Sequence, residues 1–241
     1  MHIKGSIALV TGANRGLGAA FASALLNAGA GKVYAAARDP SQIADKRLMP
    51  IALDITDDAA VAAAAKACGD VNLLINNAAV MRMSPFVAAL SMEGARAEMA
   101  TNYFGTLAMC RAFAPALKAN GGGALINMLS VVAWFTHPIN GSYCASKHAA
   151  LALTNGLRTE LKVQGTFVAG VYASFIDTGM ATAITAPKAK PEDIAARALE
   201  GIALGDEEIL ADVRSREIKD ALARDPAAFY AALEQQWLQR A

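Results

Sequence analysis

Ile7-Ala8-Leu9-Val10-Thr11-Gly12-Ala13-Asn14-Arg15-Gly16-Leu17-Gly18 is the stretch from which the rest of the chain can be read. Ile7–Val10 is a short, wholly apolar run of the kind buried in a parallel sheet. Gly12, Gly16 and Gly18 follow it directly, and a helix rich in small residues extends from Gly16 to Ala28. Glycine is needed where a strand turns sharply into a helix and where backbone must approach a pyrophosphate. The helix start adds unpaired N–H groups and the positive end of its dipole. Glycine as plain turn punctuation explains each residue singly, but not their spacing between a strand and a helix. The reading is a dinucleotide-binding turn.

The same alternation continues outward. Strands are expected at Lys32–Ala37, Ile51–Leu53, Leu73–Asn76, Ala124–Leu129, Phe167–Ala173 and Glu208–Leu210. Helices are expected from the capping residue Asp57 to Cys68, from Ser91 to Lys118, from Ser142 to Gln164 and from Pro191 to about Leu204. A charged helical tail begins at Ser215 and breaks near Asp225-Pro226. Repeated strand–helix–strand units with apolar strands give an α/β fold. Its parallel sheet of about seven strands is doubly wound, with helices on both faces. The chain reads as one domain over residues 1–241, with a substrate lid at about 175–190.

Composition removes several classes of function. The net charge is +1, with no basic stripe, which argues against nucleic acid and anionic membrane partners. The longest uncharged run, Ala119 to Ser146, contains Gly121-Gly122-Gly123, Asn127, His137-Pro138 and Asn140, a poor membrane span. Met1 runs almost directly into the first strand with no leader, so a cytoplasmic protein is expected. Cys68, Cys110 and Cys144 lack metal-ligand spacing and read as free thiols; no metal is expected.

The end of the second strand distinguishes NAD from NADP. A ribose-binding acid is expected roughly 20 residues after the glycines. Ala37 occupies that place, and Arg38 follows it. Arginine suits a 2′-phosphate through a forked, charge-assisted contact, and Arg15 adds a second cation nearby. NADP(H) is therefore preferred over NAD(H). Asp39 works against this if it pairs with Arg38.

Further motifs complete the pattern: Asn76-Asn77-Ala78-Ala79, Asn102, Ser130 and Tyr143-Cys144-Ala145-Ser146-Lys147, with Ser130 thirteen residues before Tyr143. Over nearly its whole length the chain resembles the short-chain dehydrogenase/reductase family, in the manner of its carbonyl reductases. The glycine turn matches TGxxxGxG, NNAA matches NNAG, and Tyr143 with Lys147 matches YxxxK. The resemblance implies a catalytic set of Asn102, Ser130, Tyr143 and Lys147. It implies cofactor contacts from Gly12, Asn14, Arg15, Gly16, Leu17 and Gly18, from Arg38, Asp54 and Ile55, from Asn77, Ala78 and Ala79, from Tyr143 and Lys147, and from Ile176 and Thr178. Asn102 is expected to anchor a water linking Lys147 to solvent. The family commonly carries Pro-Gly where this chain has Ala173-Ser174, which alters the backbone beside the nicotinamide.

The residues independently support that chemistry. Tyr143 and Lys147 lie four apart on one helix face. The ammonium is expected to draw the phenol below its usual pKa of roughly 10, toward the range a general acid/base needs. The expected pocket wall is Met81, Val131, Val132, Trp134, Phe135, Asn140, Phe175, Met180 and Ile184, apolar and without a fixed cation. That favours a hydrophobic ketone or aldehyde, reduced reversibly to the alcohol. Two other readings stand beside it: an NADP(H)-binding regulatory or sensor protein, and a C=N or C=C reductase on the same fold. The resemblance also implies self-association, as a homodimer or homotetramer, through the helices carrying Asn102 and Tyr143.

Overall fold

Period-two alternation within the strands sorts their side chains between two cores. Ala8, Val10, Leu73, Ile75, Ala124 and Ile126 face Phe21, Leu25, Ile194 and Ile202. Leu9, Leu74 and Leu125 face the other way, onto Val61, Phe113, Leu117 and Leu157. The sheet is therefore buried on both faces, as a parallel sheet requires. The computed structural model describes residues 1–239.

Among the described residues seven strands form one sheet: β1 (Ile7–Thr11), β2 (Lys32–Ala37), β3 (Met49–Ala52), β4 (Leu73–Asn76), β5 (Ala124–Met128), β6 (Phe167–Tyr172) and β7 (Glu208–Leu210). Every pairing is parallel, in the order β3-β2-β1-β4-β5-β6-β7. The order reverses between β1 and β4, the switch point beside which such sheets bind ligands at their carboxyl ends. Helices α1 (Gly16–Asn27) and α6 (Pro191–Leu204) cover one face. Helices α2 (Asp58–Ala67), α4 (Thr106–Ala119) and α5 (Gly141–Glu160) cover the other. Helix α3 (Glu93–Met99) leads into α4, and the pair α7 (Val213–Arg224) and α8 (Pro226–Leu238) ends the described chain.

Three differences from the expected elements bear on the site. The helix expected over Ser91–Lys118 contains a π-helical segment, Ala100–Gly105, centred near Asn102. Thr106 Oγ1 donates to the Asn102 carbonyl at 3.1 Å inside this widened turn. The third strand begins at Met49, two residues before the expected Ile51, because it follows the edge of β2 rather than its own hydrophobicity. The tail does break at Asp225, whose carboxylate caps α8 at the Ala228 N–H, with Pro226 opening the helix. The segment from 175 to 190 carries a 3-10 turn at Gly179–Ala181 and a bridge between Ile176 and Ala189.

Candidate active site

The glycine turn is built as its spacing requires. Gly12 and Gly16 have φ of +66° and +53°, which side chains disfavour. A Cβ on Gly18 would lie 2.1 Å from the Gly12 carbonyl oxygen, so only glycine lets α1 close on β1. Arg15 at the start of α1 makes no side-chain cap, and the first turn holds no acid. These N–H groups and this shape fit a dinucleotide pyrophosphate. Thr11 Oγ1 accepts the N–H groups of Asn77 and Ala78 at 2.9 and 3.0 Å, and Asn77 Nδ2 donates to the Thr11 carbonyl at 2.9 Å. The ends of β1 and β4 are thus locked side by side. Leu17 is buried at the turn, and Ala79 lies partly exposed just beyond Ala78.

Asp39 does not take Arg38. Its carboxylate accepts the N–H and hydroxyl of Ser41 and the amide of Gln42, and these bonds hold its pKa below the usual range. Gln42 in turn accepts Asn14 Nδ2 at 2.7 Å, tying the glycine turn to the 3-10 turn after β2. Arg38 and Arg15 are exposed, and neither forms an ion pair among the described residues. Asp54 binds the N–H and hydroxyl of Thr56, leaving Asp57 to cap α2. Ile55 is buried against Gly105 of the π-helical segment.

Ser130, Tyr143 and Lys147 converge at the carboxyl end of β5. Ser130 lies two residues past the strand and caps a 3-10 turn, its Oγ accepting the Val132 N–H at 3.4 Å. It lies near enough to the Tyr143 phenol to oppose part of the burial effect on that group. Lys147 Nζ sits 5.8 Å from the centre of the Tyr143 ring and donates to the Met128 carbonyl at 2.9 Å. The expected lowering of the phenol is not what this geometry produces. Burial above all, helped by Cys144 and Glu98, pushes Tyr143 upward against the opposing effect of Ser130. Burial also draws Lys147 down to about 8. Desolvation of both groups outweighs an ammonium turned toward a carbonyl.

Asn102 is 2% exposed, and both of its amide hydrogens are donated. It accepts the Val80 N–H, donates to the Val80 carbonyl and donates to Ser146 Oγ, each at 2.9 Å. One turn earlier Glu98, wholly buried, accepts the Arg82 N–H at 2.6 Å and pairs with Ser142 Oγ at 2.5 Å. Sequence reasoning missed Glu98, Ser142 and Ser146. Their spacing held a signal, because Glu98 and Asn102 are four apart, as are Ser142 and Ser146. Cys144 makes weak contacts with His137 and Asn140, and burial pushes its thiol up to about 11, which suits packing rather than nucleophilic attack.

The expected pocket residues divide into two groups. Asn140 Nδ2 reaches Met81 Sδ at 3.9 Å, Val132 adjoins Ser130, and Met180 is exposed on the 3-10 turn of the 175–190 segment. Trp134, Phe135 and Phe175 instead meet the C-terminal helices. Trp134 stacks on Tyr172 at 4.5 Å and lies under Lys219 Nζ. Phe135 is buried edge-on against Phe229, and Phe175 carries the Arg214 guanidinium at 4.9 Å. Thr178 and Ile176 are partly exposed, and a Cβ on Gly16 would come within 3.1 Å of Thr178, so the base of this segment closes over the glycine turn. Among the described residues no helix is long and apolar enough to cross a membrane, and no cluster of His, Cys, Asp and Glu has metal-binding form. All three cysteines are free and buried.

Comparison with known proteins agrees with this geometry. The family model for short chain dehydrogenases matches residues 6–189. A sorbitol dehydrogenase from Cereibacter sphaeroides is 35% identical over 187 residues, 73% of each chain. The crystal structure of a short chain dehydrogenase from Burkholderia cenocepacia in complex with NADP is 45% identical, with a TM-score of 0.94 over 97% of this chain and 99% of that one. A short-chain dehydrogenase/reductase from Burkholderia phymatum in complex with NAD is 25% identical, with a TM-score of 0.82 over 94% and 98%. With the glycine turn and the Ser–Tyr–Lys cluster at one sheet edge, the chain belongs to the short chain dehydrogenase family and is a nicotinamide-dependent oxidoreductase.

Proposed function

We propose that the protein reduces hydrophobic ketones or aldehydes to alcohols with NADPH, reversibly. The observation that carries this reading is the convergence of Ser130, Tyr143 and buried Lys147 at the carboxyl end of β5, with Lys147 Nζ 5.8 Å from the Tyr143 ring centre and bonded to the Met128 carbonyl. NADPH, when bound, supplies the hydride to the carbonyl carbon. Ser130 holds the carbonyl oxygen and Tyr143 delivers its proton to it. Those two hydroxyls stabilise the charge that develops there. Lys147 holds the nicotinamide ribose and favours the phenolate once the proton has left. Asn102 fixes the backbone at Val80 and anchors the water that returns a proton to Lys147.

Arg38, exposed and unpaired by Asp39, supports NADPH over NADH. Met81 beside Asn140, Val132 beside Ser130 and exposed Met180 support an apolar substrate over a polyol such as that in the name of the C. sphaeroides relative. Exposed Phe104, Leu90 and Met92 around α3 and the π-helical segment support a homodimer or homotetramer, and three free buried thiols support a reducing cytoplasm.

The test is a kinetic screen following oxidation of NADPH and NADH with aromatic and aliphatic carbonyl compounds, and reduction of NADP⁺ with polyols. Turnover of apolar carbonyls with NADPH is expected. Preference for polyols, or tight NADPH binding with no turnover of any carbonyl, overturns the reading.

A further inference from the structure

Glu98 is fully buried, pairs with no cation among the described residues and has no part in the chemistry above. Its partners explain its position. Oε1 accepts the Arg82 N–H at 2.6 Å, and Oε2 meets Ser142 Oγ at 2.5 Å. Ser142 is the chain neighbour of Tyr143, in the first turn of α5. That turn lacks an ordinary cap, since Asn140 makes no side-chain capping bond. Its N–H groups are served instead by tertiary structure, with the Ser142 N–H donating to the Ser84 carbonyl at 3.2 Å.

The arrangement is a ladder of two rungs. Glu98 and Asn102 stand one turn apart, and each grips the segment after β4, at Arg82 and Val80 respectively. Each also bonds a serine of α5, Glu98 to Ser142 and Asn102 to Ser146. The two serines flank Tyr143 in sequence. A slip of either rung shifts the start of α5 against β5, and with it the phenol against Ser130.

We propose that Glu98 is a positioning residue for Tyr143, acting through Ser142, and that it forms a second rung beside Asn102 in setting the phenol's place. The inference rests on Tyr143 being the proton donor. Misplacing a catalytic group by about 1 Å costs up to about a hundredfold in rate, while the glycine turn after β1, which is built to hold the pyrophosphate, lies outside the ladder.

The experiment compares Glu98→Leu, Glu98→Gln, Ser142→Ala and the double variant Glu98→Leu/Ser142→Ala in the full chain, with Tyr143→Phe alongside. Glutamine keeps both bonds: Oε1 accepts from Arg82, Nε2 donates to Ser142 Oγ, and the serine proton goes to the Ser84 carbonyl, 3.1 Å away. The expected result is a fall in kcat of about tenfold or more for Glu98→Leu and Ser142→Ala. NADPH Kd should stay within about twofold, kcat should be near wild type for Glu98→Gln, and the double variant should be no worse than the poorer single one. Wild-type kcat in folded Glu98→Leu and Ser142→Ala, or losses that multiply in the double variant, overturn the proposal. If Tyr143→Phe retains turnover, the proton-donor reading itself falls; if it is inactive while Glu98→Leu and Ser142→Ala are unimpaired, only the Glu98 inference does.

Discussion

The Asp212 carboxylate accepts the backbone N–H of Ser174 at 2.7 Å, joining the start of α7 to the base of the 175–190 segment. Its other oxygen accepts the Ser215 N–H at 2.6 Å and so caps α7. Ser174 is one of the two residues that replace the family's Pro-Gly pair, so this departure is braced from a part of the chain beyond the matched 6–189. Asp212→Asn separates the two duties, because asparagine still caps a helix while its amide nitrogen confronts the Ser174 N–H. Unfolding stability is expected to change by less than about 1 kcal/mol, with NADPH Kd rising about fivefold, equivalent to the loss of roughly one hydrogen bond. Denaturant melts and fluorescence titration check this, and an unchanged Kd would reduce Asp212 to a cap.

Arg38→Asp should move cofactor preference from NADPH toward NADH. Loss of a charge-assisted phosphate contact is worth about 2 kcal/mol, or about thirtyfold in the KM for NADPH. Asp39 stays engaged by Ser41 and Gln42, so it does not compete with the new acid for the ribose. An unaltered ratio of kcat/KM for the two cofactors would show that Arg38 does not read the phosphate.

Tyr143→Phe keeps the ring and removes the hydroxyl. Turnover is expected to fall at least about a hundredfold, the lower end of what a positioned proton donor contributes. NADPH affinity should hold, since Lys147 and the glycine turn remain. Steady-state kinetics beside equilibrium titration separate the two.

Lys147 leaves a pH signature in stability. Its folded pKa of about 8 lies below the ordinary lysine value of 10.5, with burial as the cause. Between these values the unfolded chain binds the extra proton, so stability rises with pH across the window and is lost as pH falls through about 8. From pH 8 to 10 the wild type should gain roughly 2–3 kcal/mol relative to Lys147→Met, which lacks this group. Matched denaturant melts across that range measure it, and parallel curves would mean that the lysine titrates normally when folded.

The elements and the chemistry were largely legible because their signals are local. Gly12, Gly16 and Gly18 lie within seven residues, Tyr143 and Lys147 within one helical turn, and Pro191 and Asp57 mark helix starts from their own sequence. What resisted reading was whatever depended on two distant segments meeting. The Glu98–Ser142 pair spans 44 residues and Asp212–Ser174 spans 38. Trp134 and Phe135 read as pocket wall until the C-terminal helices were seen to contact them.

Chain-local spacing thus settled the family, the sheet and the glycine turn, since each depends on backbone geometry within a turn or a strand. Folding settled the burial of Tyr143 and Lys147, the engagement of Asp39 away from Arg38 and the long-range bonds of Glu98 and Asp212. Burial and long-range hydrogen bonds exist only after the crossovers bring remote segments to one sheet edge, and their strength depends on the water excluded there.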